Sequence, residues 1–246
     1  MTGSVTGGAS AGEPADPRAA QIAANLAAVW RRIGAACAAA GRDPAGVTLV
    51  AVTKTFPAAD VRRLLGLGVA DVGENRDQEA RVKAAAVPEA RWHFVGRLQR
   101  NKCRSVASYA ALVHSVDRTE LVAALAAGAR RAGRDAALDV LVQVSLDGDP
   151  SRGGALPADV SGLAAAVADA AGLRLAGVMA VAPEGAAPRP AFSRLAEVAA
   201  ELVRDHPNAT VVSAGMSGDL EDALQCGATH VRIGTALLGG RTPPVG

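Results

Sequence analysis

The sequence predicts an α/β fold, a single (β/α)8 TIM barrel preceded by an N-terminal helix. Three observations point there. A strand-like apolar run recurs eight times between residue 47 and the C-terminus, with a helix-like segment between each run and the next. No shift in composition marks a domain boundary inside that array, and 246 residues match the roughly 250 typical of the barrel. The competing architecture, a doubly wound open sheet, lacks its mark, because no Gly-x-Gly-x-x-Gly follows the first strand.

Residues 1–15 are rich in Gly, Ser, Ala and Thr without a basic stretch leading into an apolar one. They are expected to be a disordered tail and not a signal peptide, with the barrel domain occupying 16–246. Asp16-Pro17 opens the first helix as cap and first helical residue; Ile22, Leu26, Val29 and Ile33 recur on one face, and Gly41 closes it. Val47 to Lys54 is a continuous apolar, β-branched run, the pattern of a strand buried on both faces.

Helices are expected at 57–65, 76–86, 99–108, 117–133, 157–170, 190–204 and 219–225. The strands between them are expected at 69–73, 92–96, 111–116, 138–144, 175–181, 210–213 and 229–234. The fifth helix is given a capping box, Asp117 with Glu120 three residues on, and Gly227 caps the last.

Composition narrows the function. A net charge of +2 with no acidic or basic half gives no reason to expect nucleic acid or a membrane surface as an obligatory partner. Arg97, Arg100, Lys102 and Arg104 fall at helical spacing, and a solvated basic face accounts for them. Three widely separated cysteines, Cys37, Cys103 and Cys226, without a C-x-x-C pair argue against a disulfide framework or zinc site and suit a reducing cytoplasm. Aromatics make up only 2%, so the core must be aliphatic.

In a barrel of this kind the active site lies at the C-terminal ends of the strands. Those positions hold Lys54, Gly73-Glu74-Asn75, Gly96 with Gln99 and Asn101 beyond it, Met179, Gly215-Met216-Ser217-Gly218 and Arg232-Ile233-Gly234-Thr235. Closure makes strand eight the neighbour of strand one, which should draw Arg232 toward Lys54. The loops after strands seven and eight pair bare glycine amides with the Ser217 and Thr235 hydroxyls, the chemistry of a phosphate site. A lysine facing such a site can hold the anion or attack a carbonyl as an amine. Phosphate, aldehyde and lysine describe pyridoxal 5′-phosphate (PLP); phosphate and ketone describe a sugar-phosphate aldolase. The residues alone leave both open.

Six motifs in order, Val52-Thr53-Lys54, Gly73-Glu74-Asn75, Trp92-His93-Phe94-Val95-Gly96, Leu98-Gln99-x-Asn101-Lys102, Gly215-Met216-Ser217 and Val231-Arg232-Ile233-Gly234-Thr235, resemble the pyridoxal phosphate homeostasis proteins. These have a barrel of the alanine-racemase N-terminal-domain type. The resemblance spans about residues 16 to 241. It implies that PLP is the cofactor, carried as a Schiff base on Lys54. It also implies that Ser217, Gly234 and Thr235 hold the phosphate, that Arg232 faces the pyridine nitrogen, and that Asn75 and Met179 flank the ring. Two positions depart from the family pattern: Arg76 replaces a frequent tyrosine, and Arg152 stands in the 147–154 loop where Lys-x-Gly is common.

The resemblance implies a cytoplasmic role in PLP (vitamin B6) homeostasis and amino- and keto-acid balance. Apo-PLP enzymes are the implied recipients, and the protein is expected to act as a monomer. The alternative is a small PLP-dependent amino-acid racemase, which needs a second base. In alanine racemase that base is a tyrosine from another domain. Here twelve residues follow Gly234, and the single tyrosine, Tyr109, precedes strand four, so a carrier is the expectation. His93 and His114 are expected to be core histidines paired to backbone.

Overall fold

The first described element is helix α1 (Pro17–Ala39), capped by the Asp16 carboxylate, which accepts from the backbone N–H groups of Arg18 and Ala19 at 2.9 and 3.2 Å. Ile22, Val29 and Ile33 are almost wholly buried along one stripe, as their spacing requires. The computed structural model describes residues 16–240; the expected N-terminal tail and the last six residues of the expected domain lie outside them. No helix among the described residues is long and apolar enough to cross a membrane.

Then come β1 (Thr48–Val52), α2 (Ala58–Gly66), β2 (Asp71–Glu74), α3 (Asp77–Ala86) and β3 (Arg91–Phe94). They are followed by α4 (Cys103–Tyr109), β4 (Leu112–Val116), α5 (Thr119–Arg131), β5 (Leu138–Gln143), α6 (Val160–Ala168) and β6 (Leu173–Met179). The chain continues through α7 (Pro188–Asp205), β7 (Val211–Ser213), α8 (Leu220–Gln225), β8 (His230–Ile233) and α9 (Thr235–Leu238). The eight strands pair in parallel, in chain order, and close into a barrel. Closure is made by β1 on β8, with Thr48 opposite His230 and Ala51 opposite Ile233.

Strand alternation separates two environments. Leu49, Ala51, Val72, Trp92, Val231 and Ile233 pack outward with α1 and α2 in one cluster. Phe94, Val113, Val140, Val142 and Val178 pack outward in a second, with α4 to α7. The residues between them project inward. Leu112, Leu141, Ala176 and Met179 form a small apolar plug there, but His93, His114, Ser213 and Arg232 are interior too, each at most 5% exposed.

Helix α1 covers the closing seam. Arg32 grips Glu221 of α8 with two bonds of 2.6 and 2.8 Å. Asn25 donates to the Leu237 carbonyl and Arg18 to that of Leu238, both at 2.9 Å. These acceptors belong to α9, a short helix the sequence reading did not contain. Four orphan carbonyls end any helix, and α1 satisfies two of them here.

Most other differences are one or two residues at element ends, where fraying makes the boundary diffuse. Strand β1 stops at Val52, so Lys54 sits in the following turn and not on the strand. The expected capping box on α5 is absent: Arg118 is the N-cap without a side-chain bond. The Asp117 carboxylate instead accepts from Arg118 and from the Gly154 amide. A tertiary partner, the β5 loop, outcompetes the local one.

Gly177 is required by close approach, and Gly162 is not. A Cβ on Gly177 would overlap the Val211 carbonyl, and its φ of 149° is one a side chain rarely adopts. Gly162 in α6 has nothing within 4 Å. Gly177→Ala is therefore expected to break the β6–β7 pairing and yield little soluble protein. Gly162→Ala should fold normally and gain up to about 1 kcal/mol; urea melts of the two variants check both.

Candidate functional site

The turn after β1 carries Lys54. Strand parity puts Val50 and Val52 on the inward side of β1, opposite the outward Leu49 and Ala51, and Lys54 follows two residues after the strand ends. Thr55, immediately after it, has φ 71°, the one positive value at a non-glycine among the described residues. A β-branched residue in that region costs free energy and persists only where its surroundings enforce it.

The enforcement comes from below. Thr53 Oγ1 donates to Glu74 Oε1 at 2.6 Å. Lys83 spends its three N–H donors on the Thr53 carbonyl (2.8 Å), Glu74 Oε1 (2.7 Å) and Glu79 Oε1 (2.6 Å). Glu79 Oε1 also accepts from the Thr55 amide at 2.6 Å. Both neighbours of Lys54 are thus tied to one buried ion-pair network. Glu74 is fully buried; desolvation raises its pKa, and the bonds from Lys83 and Thr53 offset only part of that. Lys83 is the structural lysine. Lys54 has no carboxylate partner among the described residues.

Arg232 lies level with Val50 in the closing register. It is interior and nearly buried, donating through Nη1 to Ser213 Oγ at 2.7 Å and through Nη2 to the Ala180 carbonyl at 2.9 Å. Burial pushes its pKa down to about 10, and no carboxylate pairs with it among the described residues. Two of its five N–H donors have named acceptors. A buried cation with donors to spare calls for an acceptor that bears no competing proton.

The β7 and β8 loops meet. Ser217 Oγ accepts from the Ala236 amide at 3.2 Å, next to Gly234 and Thr235. Below them Arg232 N donates to the Gly215 carbonyl at 2.9 Å. Gly215 has φ 88°, and a Cβ there would stand 2.7 Å from that of Ala223, so this loop packs directly on α8. Thr235 is exposed and Ser217 and Gly234 half-buried, a polar rim able to take an anion.

Met179 is buried in the barrel wall, in register with Gln143 and Ser213. Asn75 follows β2 directly and lies so close to Gly96 that a Cβ on that glycine would overlap its carbonyl. Asn75 lines an open cavity of about 880 Å³ together with Arg76, Phe94, Arg97, Gln99 and Lys102. Lys54, Ser217 and Arg232 do not line it, so the cavity belongs to the β2–β4 side of the mouth. The four basic residues do not share one helix as their spacing predicts. Arg97 precedes the helical segment and joins the cavity, Arg100 and Lys102 form a 3-10 turn, and only Arg104 lies in α4. Arg152 ties its own loop down, donating to the carbonyls of Val181 and Ala182 and pairing with Asp147.

His93 and His114 are buried but not paired to backbone. They bond to each other at 2.9 Å and onward to Asp71 and Ser213. Their outer partners lie on two other strands, β2 and β7, which spacing within one segment cannot reveal. The roles of Glu79 and Lys83 were legible only as an i,i+4 pair on α3.

Fold and site define a class first. Residues 20–242 match the family model described as alanine racemase, N-terminal domain. The pyridoxal phosphate homeostasis protein of Mycobacterium leprae is 44% identical over 240 residues, 90% of this chain and 93% of its own. That of Pseudomonas aeruginosa is 46% identical over 225 residues, 89% of this chain and 96% of its own. The structure of PipY from Synechococcus elongatus with PLP bound has a TM-score of 0.77 at 34% identity, covering 89% of this chain and 100% of that one. The chain belongs to the pyridoxal phosphate homeostasis protein family.

Lys83→Met should strand the buried Glu74 charge and cost about 3–5 kcal/mol at neutral pH. Glu74 already has a raised pKa, so the deficit in urea midpoint should shrink as acid protonates it. The histidines act in the opposite sense. Burial lowers the pKa values of His93, His114 and His230, the last to about 4. Their contribution to stability is full above the unfolded value of 6.5 and is lost as pH falls through the folded values. Denaturation midpoints should therefore drop between pH 6.5 and about 4, and less so in His230→Gln.

Proposed function

We propose that this protein binds PLP and serves its homeostasis in the cytoplasm, with Lys54 as the attachment point. The observation that carries the reading is that two unusual groups sit on the closing strands, one on β8 and one in the turn after its neighbour β1. Lys54 offers a lysine amine without a carboxylate partner among the described residues, and Arg232 is a buried guanidinium with donors to spare. Their chemistry fits the two reactive ends of a pyridine aldehyde. Membership in a family whose members include M. leprae and P. aeruginosa pyridoxal phosphate homeostasis proteins, and likeness to PLP-bound PipY, support the same cofactor.

Each residue then has a task. Lys54 holds the aldehyde carbon as a Schiff base, and the Glu74–Lys83–Glu79 network keeps its turn in place. Ser217, Gly234 and Thr235 receive the phosphate, with the Ser217 hydroxyl and loop amides as donors. Asn75 and Met179 bound the ring on the β2 and β6 sides. Arg232 donates to the ring nitrogen and, as a permanent cation, keeps a proton off it. When bound, PLP supplies an electrophilic carbon conjugated to an electron-accepting ring, and an unprotonated ring nitrogen weakens that acceptor. Such a site favours carriage of the cofactor and its transfer to apo-PLP enzymes.

Purified protein with PLP should show a visible absorption band that survives desalting and disappears in Lys54→Ala; an unchanged spectrum in the variant would sink the assignment. Ser217→Ala should keep the band but weaken PLP binding about tenfold to a hundredfold, the worth of a hydrogen bond to a charged group. Fluorescence titration measures that loss.

A further inference from the structure

Four hydrogen bonds run through the barrel interior from β2 to β8. Asp71 Oδ1 lies 2.8 Å from His93 Nε2, and His93 Nδ1 lies 2.9 Å from His114 Nε2. His114 Nδ1 lies 2.9 Å from Ser213 Oγ, which accepts from Arg232 Nη1 at 2.7 Å. The two rings are fully buried, as is Ser213, while the Asp71 carboxylate retains 21% exposure.

The proton positions along this chain follow from its ends. A guanidinium can only donate and a carboxylate can only accept. With both imidazoles kept neutral by burial, the accepting carboxylate end fixes the direction of every bond, so the Ser213 hydroxyl proton goes to His114 Nδ1 while its oxygen accepts from Arg232. That nitrogen is then bare, so His114 carries its proton on Nε2 and donates it to His93 Nδ1. His93 in turn is protonated on Nε2 and donates to Asp71. Every group is satisfied in this arrangement with both imidazoles neutral; reversing any one bond leaves two donors or two acceptors facing each other in a dry core, a costly mismatch.

We infer that His93, His114 and Ser213 are positioning residues that hold the Arg232 guanidinium against the ring nitrogen of the cofactor, with Asp71 as its remote counter-charge. The inference rests on the PLP reading for what Arg232 meets, and on the hydrogen-bond chain alone for how Arg232 is held. Besides the chain, the Ala180 carbonyl is the one acceptor of the guanidinium among the described residues. Lost bonds to Ser213 would free one arm of the fork and let the plane swing. The chain also joins the buried cation to an anion through polarised bonds, a substitute for the direct carboxylate it lacks. The other charged or titratable groups near the chain are Arg91, 3.7 Å from Asp71, His230, with its ring 6.4 Å from that of His93, and Asp139 and Asp219 farther off.

Two measurements test this. In the protein without PLP, nitrogen-15 spectra should show His93 and His114 both neutral and both protonated on Nε2; an Nδ1–H tautomer or an imidazolium at neutral pH would overturn the chain. The second compares PLP with its 1-deaza analogue, whose ring has C–H in place of nitrogen. Ser213→Ala should weaken PLP about tenfold and leave the deaza analogue within about twofold, because the contact being positioned is absent from it. Asp71→Asn, which keeps an acceptor for His93, should retain more of the preference for PLP than Asp71→Ala. Equal loss for both ligands in Ser213→Ala, or no loss, would overturn the positioning role. Failure of the wild-type protein to bind either ligand would instead overturn the PLP reading, leaving the tautomer measurement to judge the chain.

Discussion

Pairing of the first strand with the last is the constraint on which the rest of this molecule depends. Thr48 through Ala51 on β1 lie against His230 through Ile233 on β8, residues some 180 apart in the chain. That ladder puts the Lys54 turn and Arg232 on one seam, brings the β7 and β8 loops to its rim, and leaves no exposed sheet edge. Helix α1 exists to guard it: its apolar stripe packs against the seam, and its Arg18, Asn25 and Arg32 bind α8, α9 and Asp60.

A closed barrel must fill its interior, and this one fills part of it with charge and imidazole. Desolvating an arginine, two histidines and a serine is costly. The outlay is met because each group has a partner of the right polarity, from Asp71 to Arg232. The Glu74–Lys83 pair solves the same problem beside the Lys54 turn, with three acceptors around one ammonium. Both networks sit next to the site. A purely apolar interior would pack at least as well, so their presence is better explained by what they position than by stability.

The departures from expectation have one physical source. Asp117 carries the right spacing for a cap, yet the Gly154 amide from the β5 loop takes its carboxylate. His93 and His114 face inward by strand alternation, but their partners come from β2 and β7. Lys54 ends an apolar run, but the chain leaves the strand two residues earlier because Glu79 and Lys83 of α3 draw it into a turn. Helix α9 was missed because it is a single turn held by bonds from α1. In each case a residue distant in sequence outbid a local preference.

Pattern by itself determined the eight strands and the helices between them, their parallel order and the strand-end positions read as the candidate site. These are local properties: burial on two faces makes an apolar strand, one buried face makes a helical stripe, and the right-handed crossover leaves few ways to join them. Motif order added the family. Only the tertiary structure decided which lysine is tied up in an ion-pair network and which has no carboxylate partner among the described residues, what Arg232 bonds to, and that Asp71, His93, His114 and Ser213 form one hydrogen-bonded chain. Those facts depend on hydrogen bonds that close over distances of 20 to 100 residues, and no pattern within a single segment encodes the geometry of that closure.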